Sequence, residues 1–508
     1  MKSIILDCYT DEPSGYGVPP YLGTHQIHLS QALNKFNVEH SYLTIDDLRY
    51  NEESSTDKST ANTTINKIKS KELISNAEII YIVMGCFIDY EYFNALPPKS
   101  DEVYEFLKDT KAKKVLFYVM GTKEGISEEY KNSKLSTIID EFTHGNTYRF
   151  IADYFSIKKN AINEGCDENL IAPDYLLLSE ISSAKVSIEF ENDIIAEIET
   201  GTGCNTPFCK FCIESVRSPK VTYRTPSSII DQVQTLYAAG VRYFRLGRQP
   251  NFFHYAKQDV VKLEELLYGI RASCPDIKML HIDNANIVNV ISQKGIEFTK
   301  LICKYCTSGN ISPFGIESFD NNVRKLNGVV GTSNQVLKAI EIINRFGNER
   351  DETGYHKLLP GINLIHGLIG ETQETHDLNM KFLEIIQSEG FLTRRLYYRS
   401  MTRPTGVSFE DGPLRDNDYE TNFNDIVENY VLPMQEKVYP KGIVLSGQKE
   451  VSKTKSGYSC RAFGTCPIKI NLIGNVDIEQ LNSEFKVEVT NNVLSYRRLE
   501  GKIVKETT

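Results

Sequence analysis

The chain is predicted to be an α/β protein in three parts: an N-terminal Rossmann-like doubly wound sheet, a central partial (β/α)6 barrel and a small C-terminal β-barrel. Three observations predict this. Short β-branched and aromatic runs alternate with helical stretches from the first residues to about residue 433, the pattern of parallel strands buried on both faces. The length, 508 residues, exceeds what one hydrophobic core usually serves, so two or three domains are expected. Over the last seventy residues or so, short strands separated by Gly and Asn take over, as in a small β-barrel.

The first domain, 1–150, opens with a strand at 4–6, continues with a helix at 21–35, and has further strands at 79–83 and 115–119. Its polar segment 51–64, rich in Ser, Thr and Asn, reads as a mobile loop. Residues 151–190 are assigned to a linker. The barrel, 191–435, starts with a strand at 194–198 and then a well-signalled helix. Thr225 is placed as its N-cap and Pro226 in its first position, with Ile229, Ile230, Val233 and Leu236 as the apolar stripe. Later strands are expected at 243–246, 279–282, 311–316, 362–365 and 395–398. Six strand–helix repeats make a partial barrel, whose chemistry belongs at the C-terminal ends of the strands. The last domain, 436–508, carries short strands at 443–445, 467–473 and 486–490.

Composition narrows the class. Hydrophobic residues at 41% and charged residues at 24% are ordinary for a soluble globular protein. No apolar run reaches membrane-spanning length, and Asp7 comes too early for a signal peptide, so no membrane partner and a cytoplasmic location are expected. The net charge of −10 excludes a global basic footprint for nucleic acid and leaves a local groove open. Eleven cysteines without a secretory signal fit a reducing compartment.

Three of those cysteines, Cys204, Cys209 and Cys212, lie in the stretch GTGCNTPFCKFC at 201–212, directly after a strand. A cubane [4Fe–4S] cluster ordinarily takes four cysteine ligands, so three thiolates leave one iron open to a ligand that is not protein. Zinc wants four tetrahedral ligands, and no fourth Cys or His lies nearby in sequence. A second pair, Cys303 and Cys306, falls at the end of an expected helix, where burial as small hydrophobes is the simpler reading.

The cysteine loop resembles that of the radical SAM superfamily, in which the amino and carboxylate groups of S-adenosylmethionine chelate the unique iron. The gaps here are four and two residues, where most members have three and two. The resemblance implies that Phe211, between the last two cysteines, packs near the adenine. In SPFGIESFD at 312–320 it implies that Glu317 and Ser318 meet the ribose, and in GINLIHGLIGET at 361–372 that Gly367 and Gly370 lie against the adenine. At RLGRQP, 245–250, most of the superfamily carries an acid that contacts the methionyl amine; here there is none. Backbone around Leu246 and Gly247, or the Gln249 amide, is expected to substitute. Asp283, Asn284, Arg399 and Thr405 are expected near the open centre, and His366 is either a substrate contact or a satisfied core histidine. The phrases FRLGRQ, HIDNAN, FGIES, LLPGIN and the N-terminal DEPSGYGVPPYLG resemble an archaeal-type, uncharacterised group within the superfamily.

The loop at 17–23 is similar to the entry loop of cobalamin-binding domains fused to such barrels, which implies a crevice lined by Gly17, Tyr21, Gly85 and Gly121. No Asp-x-His-x-x-Gly is present, so a histidine ligand to cobalt is not expected, and a sheet that binds no cofactor stays open. The C-terminal domain resembles TRAM-like modules that recruit RNA; Cys460 and Cys466 there are expected to be free thiols. The resemblance implies a [4Fe–4S] cluster and S-adenosylmethionine as cofactors, with cobalamin open. It further implies an external electron donor of ferredoxin or flavodoxin type and a protein or RNA substrate, the leading reaction being cobalamin-dependent C-methylation. Two alternatives remain. Sulfur insertion into tRNA would use Cys8, Cys86 and Cys166 for an auxiliary cluster; a non-catalytic iron–sulfur or RNA-binding protein would use none of this chemistry.

Overall fold

The structure is a computed structural model that describes residues 2–9, 21–50, 62–85, 96–118, 128–144, 173–212, 214, 218, 220–401 and 416–504. Contacts divide the chain into two compact units. One holds Met1–Gly201, Thr222–Arg248 and Tyr268–Lys278; the other holds Thr202–Val221, Gln249–Leu267 and Met279–Thr508.

The first unit begins with strands β1 (Ser3–Asp7), β2 (Tyr21–Leu22), β3 (His40–Thr44), β4 (Ile79–Met84), β5 (Lys113–Tyr118) and β6 (Glu141–His144). Five of them form one sheet in the order β3-β1-β4-β5-β6, and every pairing is parallel. This is the flavodoxin-like order of a doubly wound sheet, not the six-stranded Rossmann order, and its switch point lies between β1 and β4. β1 and β4 are buried along their whole length, as strands covered on both faces must be. Ile4, Leu6, Ile80, Ile82 and Leu116 share a core with Val103 and Leu107 of the helix Ser100–Leu107.

Two expectations need correction here. The helix placed at 21–35 begins at Thr24, because Tyr21 and Leu22 pair in parallel with Ile195 and Ala196 of β7 (Ile195–Glu199); backbone bonds to another strand outweigh local helical preference. Of the expected mobile loop, 51–61 lie outside the described residues, and its last residues are buried and tied down. The Asn62 amide donates to Asp46 at 2.9 Å and the Thr64 amide to Asp47 at 2.7 Å.

After the two-residue strands β8 (Gly201–Thr202) and β9 (Thr222–Tyr223) come the helix Pro226–Ala238 and β10 (Tyr243–Gly247), parallel to β7. The helix is capped as expected: the Thr225 hydroxyl accepts from the Ser228 amide at 3.2 Å, and Ile229, Val233 and Leu236 are fully buried.

The second unit contains β11 (Met279–Ile282), β12 (Asn310–Glu317), β13 (Leu358–His366) and β14 (Arg395–Ser400). The last three form a parallel sheet with β13 in the middle. Five further strands, β15 (Val444–Thr454), β16 (Gly457–Ala462), β17 (Lys469–Leu472), β18 (Phe485–Ser495) and β19 (Arg498–Ile503), close into a barrel in the order β15-β16-β17-β19-β18. Leu445, Cys460, Ile470, Val487, Val489 and Leu499 are among its buried apolar side chains, and closure leaves no open edge. No helix among the described residues is long and apolar enough to cross a membrane.

Candidate active site

The cysteine loop is held at both ends by close backbone approaches. Gly203 has φ +77°, and a Cβ there would lie 2.3 Å from the Lys220 carbonyl oxygen. At the other end, the Lys210 amide donates to the Asn327 carbonyl at 3.0 Å, and a Cβ on Gly328 would lie 1.9 Å from the Phe208 oxygen. Only glycine fits these two places. Between them the Thr206 amide donates to the Cys204 Sγ at 3.4 Å, and the Cys212 amide donates to the Cys209 carbonyl at 3.2 Å.

A lattice of asparagines supports the loop from one side. Asn251 Nδ2 donates to Asn205 Oδ1 and to Asn289 Oδ1, both at 2.8 Å, and Asn286 Nδ2 donates to Thr206 Oγ1 at 3.1 Å. Sequence reasoning missed these residues as a set. The polar string at 283–286, directly after β11 (Met279–Ile282), signalled Asn286 alone.

Glu317 ends β12 at a register shift and has φ +62°, a left-handed conformation that costs a non-glycine residue about 1–3 kcal/mol. The turn is over-determined by Arg324, also missed from sequence, whose buried guanidinium donates to the Ile316, Ser318 and Gly331 carbonyls. Burial pushes the Glu317 carboxyl up to about 7, against the pull of Arg324 and Arg399. Ser318 is buried, and its hydroxyl accepts from the Asp320 amide at 3.1 Å. Asp320 in turn caps the helix Asn321–Leu326.

Burial is the main cause that raises the Cys209 thiol well above its ordinary value; Glu317, Cys212 and Cys204 add to it. Burial likewise pushes the Cys212 thiol up to about 11, with Cys204 and Glu317 contributing. The three thiols and the one carboxyl therefore share a single electrostatic neighbourhood. No three His, Cys, Asp or Glu side chains among the described residues converge as on one metal ion. A cubane asks for something else, since its protein thiolates sit on separate irons, and the donor set of three sulfurs on a tethered loop fits it.

With this geometry the comparisons with known proteins agree. Residues 198–383 match the Radical SAM superfamily. The chain is 33% identical to an uncharacterised protein of Methanocaldococcus jannaschii, over 99% of this chain and 94% of that protein. It is 31% identical to an uncharacterised protein of Archaeoglobus fulgidus, over 93% of this chain and 85% of that one.

The chain contains a radical SAM domain.

Among solved structures, the radical S-adenosylmethionine methyltransferase TsrM from Kitasatospora setae, with tryptophan substrate and a SAM analog bound, matches at a TM-score of 0.51. The match has 15% identity and covers 77% of this chain and 72% of that chain, so the likeness is one of fold.

The remaining radical SAM positions are placed as follows. Phe211 packs with Val323, Leu368, Ile365, Ile369 and Met401 in an apolar cluster. Gly367 has φ +90° with only Met401 near the direction of a Cβ, and its amide donates to Glu371 at 2.6 Å. Gly370 has φ +84° and faces Leu326 instead; a Cβ there would lie 2.5 Å from Leu326 Cδ1, so packing accounts for that glycine. The Gly247 carbonyl accepts from the Thr200 amide at 3.2 Å and from its hydroxyl at 3.4 Å. Gln249 and Asp283 are buried, and Asn284 is half-buried.

Arg399 is half-buried, with its guanidinium carbon 4.6 Å from the Tyr397 ring centre. His366 is a core histidine: it is buried, shares a 2.9 Å hydrogen bond with the Tyr398 hydroxyl and packs edge-on against Tyr398 and Tyr419. Cys303 lies in the helix Gln293–Tyr305, where burial raises its thiol to about 12, and Cys306 caps that helix. Cys460 and Cys466 are both buried free thiols.

Gly85 is buried just after β4 with φ +147°, on the switch-point side of the sheet. Gly17, Gly121 and Thr405, and the side chain of Tyr21, lie outside the described residues, as do Cys86 and Cys166. Cys8 is buried, and its thiol is raised by burial and by Asp7.

Proposed function

We propose that this enzyme reductively cleaves S-adenosylmethionine and directs the resulting radical at a C–H bond of a macromolecular substrate, protein or RNA, by cobalamin-dependent C-methylation. The observation that carries the reading is the tethered loop of Cys204, Cys209 and Cys212 in one electrostatic neighbourhood with the Glu317 carboxyl. When bound, a [4Fe–4S] cluster would supply the electron for cleavage of S-adenosylmethionine, drawn from an external ferredoxin- or flavodoxin-type donor, and a second S-adenosylmethionine would supply the methyl group.

The chain's own residues bind and orient. Cys204, Cys209 and Cys212 would hold three irons of the cluster, and the fourth would be open to the cosubstrate. Glu317, fixed at the end of β12 by Arg324, accepts the ribose hydroxyls, and the apolar cluster around Phe211 takes the adenine and keeps water out. Backbone around Leu246 and Gly247, or the Gln249 amide, takes the methionyl amine in place of the missing acid.

Cobalamin is assigned to the N-terminal sheet, in the crevice above the β1/β4 switch point where ligands of such sheets bind. The closed C-terminal barrel is the assigned recruiter of the macromolecular substrate. Anaerobic reconstitution tests the reading. Incubation with S-adenosylmethionine and a reductant should yield 5′-deoxyadenosine, and the spectrum of the purified protein should include bound corrinoid. Absence of the nucleoside from a fully clustered sample would defeat the catalytic reading; its presence without corrinoid would defeat only the methylation.

A further inference from the structure

Two adjoining cavities in the second unit lie at the other end of the β12–β14 sheet from Glu317. Asn310 is the first residue of β12, seven residues before Glu317, or about 23 Å along an extended strand. The larger cavity, with about 440 Å³ of empty space that includes open solvent, sets three guanidiniums, Arg394, Arg395 and Arg497, against an apolar wall that includes Leu396, Met434 and Ile468. The smaller, of about 210 Å³, is lined by Asn310, Arg350 and His356 and shares Arg394 and Tyr439 with the first. Among the described residues, no acidic side chain lines either one.

Several polar atoms here have no protein partner among the described residues. Arg394 Nε and Nη1 are buried and donate to nothing there. Asn310 is 1% exposed, and its Nδ2 is likewise unpartnered, although its Oδ1 accepts from the Ile282 and Ile311 amides. His356 is 7% exposed; its Nδ1 faces the Asn348 carbonyl and so carries the proton, which leaves Nε2 as a bare acceptor. Burial and the Arg350 charge push this imidazole down to about 4, which keeps it neutral. The other two arginines are engaged, Arg395 with the Cys466 sulfur and Arg497 with the Tyr397 hydroxyl, each at 2.8 Å.

Buried cations and amide donors without acceptors are costly, and an oxyanion satisfies both kinds at once. We propose that these cavities bind a small oxyanion, a carboxylate or a phosphate, anchored by Arg394 and the Asn310 amide. A hydrogen phosphate would in addition donate its proton to His356 Nε2. A carboxylate would instead lay an apolar body along Leu396, Met434 and Ile468.

The test uses the full-length reconstituted protein and two probes, inorganic phosphate and benzoate, read as saturable rises in melting temperature and by calorimetry. At least one should bind, and Arg394→Gln should weaken it tenfold or more. Asn310→Asp, which keeps the acceptor oxygen and replaces the donor with a charge, should do the same. Both variants should retain the cluster absorption and the affinity for S-adenosylmethionine, which separates this site from the catalytic one. Binding of phosphate alone identifies the hydrogen phosphate mode, and binding of benzoate alone identifies the carboxylate mode. If neither probe binds saturably, or if both variants bind as the parent does, the proposal is overturned.

Discussion

Glu317 shows at the scale of one residue why chemistry was legible in the sequence and its support was not. A carboxylate after a β-branched run, followed by Asp320 and a helix, marks a strand end whatever the rest of the fold does. The positive φ and the grip of Arg324 depend on residues brought together by folding, and an arginine within a short amphipathic helix looks like any solvated charge. In the structure Arg324 is 1% exposed, and its guanidinium closes the turn. Replacing Glu317 with Gln should weaken binding of S-adenosylmethionine about tenfold, or about 1.4 kcal/mol, because the amide loses the charge that strengthens the ribose hydrogen bonds. The cluster absorption should survive, since no sulfur ligand is touched. Equal affinity in equilibrium dialysis of the parent and Glu317→Gln would remove the ribose assignment.

Among the elements, the buried parallel strands were the readable ones. β4 is a continuous apolar or aromatic run, and β10 and β11 are broken only by Arg245, Gly247 and His281; all three strands are buried at every position, so the sequence pattern and the burial largely coincide. β16 and β19 went unread because neither is an apolar run and both carry Arg: Arg461 is paired with Glu450 at 2.7 Å, and Arg498 opens β19. Nor did the sequence signal the acids around the end of β1. Asp7 accepts from Gln26 Nε2 at 2.7 Å and Tyr42 Oη at 2.5 Å, yet burial outweighs these bonds and raises its carboxyl from 3.8 to about 6. Asp46 is raised to about 7 and Asp47 to about 6, again mainly by burial.

A carboxyl with a higher pKa in the folded chain than in the unfolded one takes up a proton on folding. Its contribution is present in full below about 4 and is lost as pH rises through 6 to 7. For Asp7 alone the shift from 3.8 to about 6 corresponds to about 3 kcal/mol. Urea unfolding between pH 4.5 and 7.5 should therefore report a stability slope that Asp7→Asn flattens. An unchanged slope in that variant would show that Asp7 ionises as freely in the folded chain as in the unfolded one.

For the molecule as a whole, the sequence announced three parts, and the last of them raises the sharpest structural question. As a separable recruiting module, the C-terminal barrel would keep few bonds to the second unit's other residues. The bonds are instead numerous and buried. The Thr465 amide donates to His281 Nδ1 at 3.1 Å, Gln448 Nε2 to the Tyr355 hydroxyl at 2.8 Å, and the Tyr496 hydroxyl to the Leu396 carbonyl at 3.0 Å. Gln435, on the helix Leu432–Val438, donates to the Asn492 and Arg498 carbonyls at 2.8 and 3.0 Å, so the β18–β19 hairpin is anchored from outside the barrel. Each buried group left without its partner costs about 1–3 kcal/mol, and a domain's whole margin is about 5–15 kcal/mol. A chain ended after Tyr439 loses all these partners together and exposes Leu396 and Tyr397, both buried in the intact protein. It should therefore accumulate as insoluble material and fail to hold a cluster on reconstitution, whereas Gln435→Ala, which removes one anchor, should stay soluble with a lowered melting temperature. A soluble 1–439 fragment with full cluster absorption would mean that the barrel is an appended module after all, and its contacts with β11 and β14 incidental to the fold.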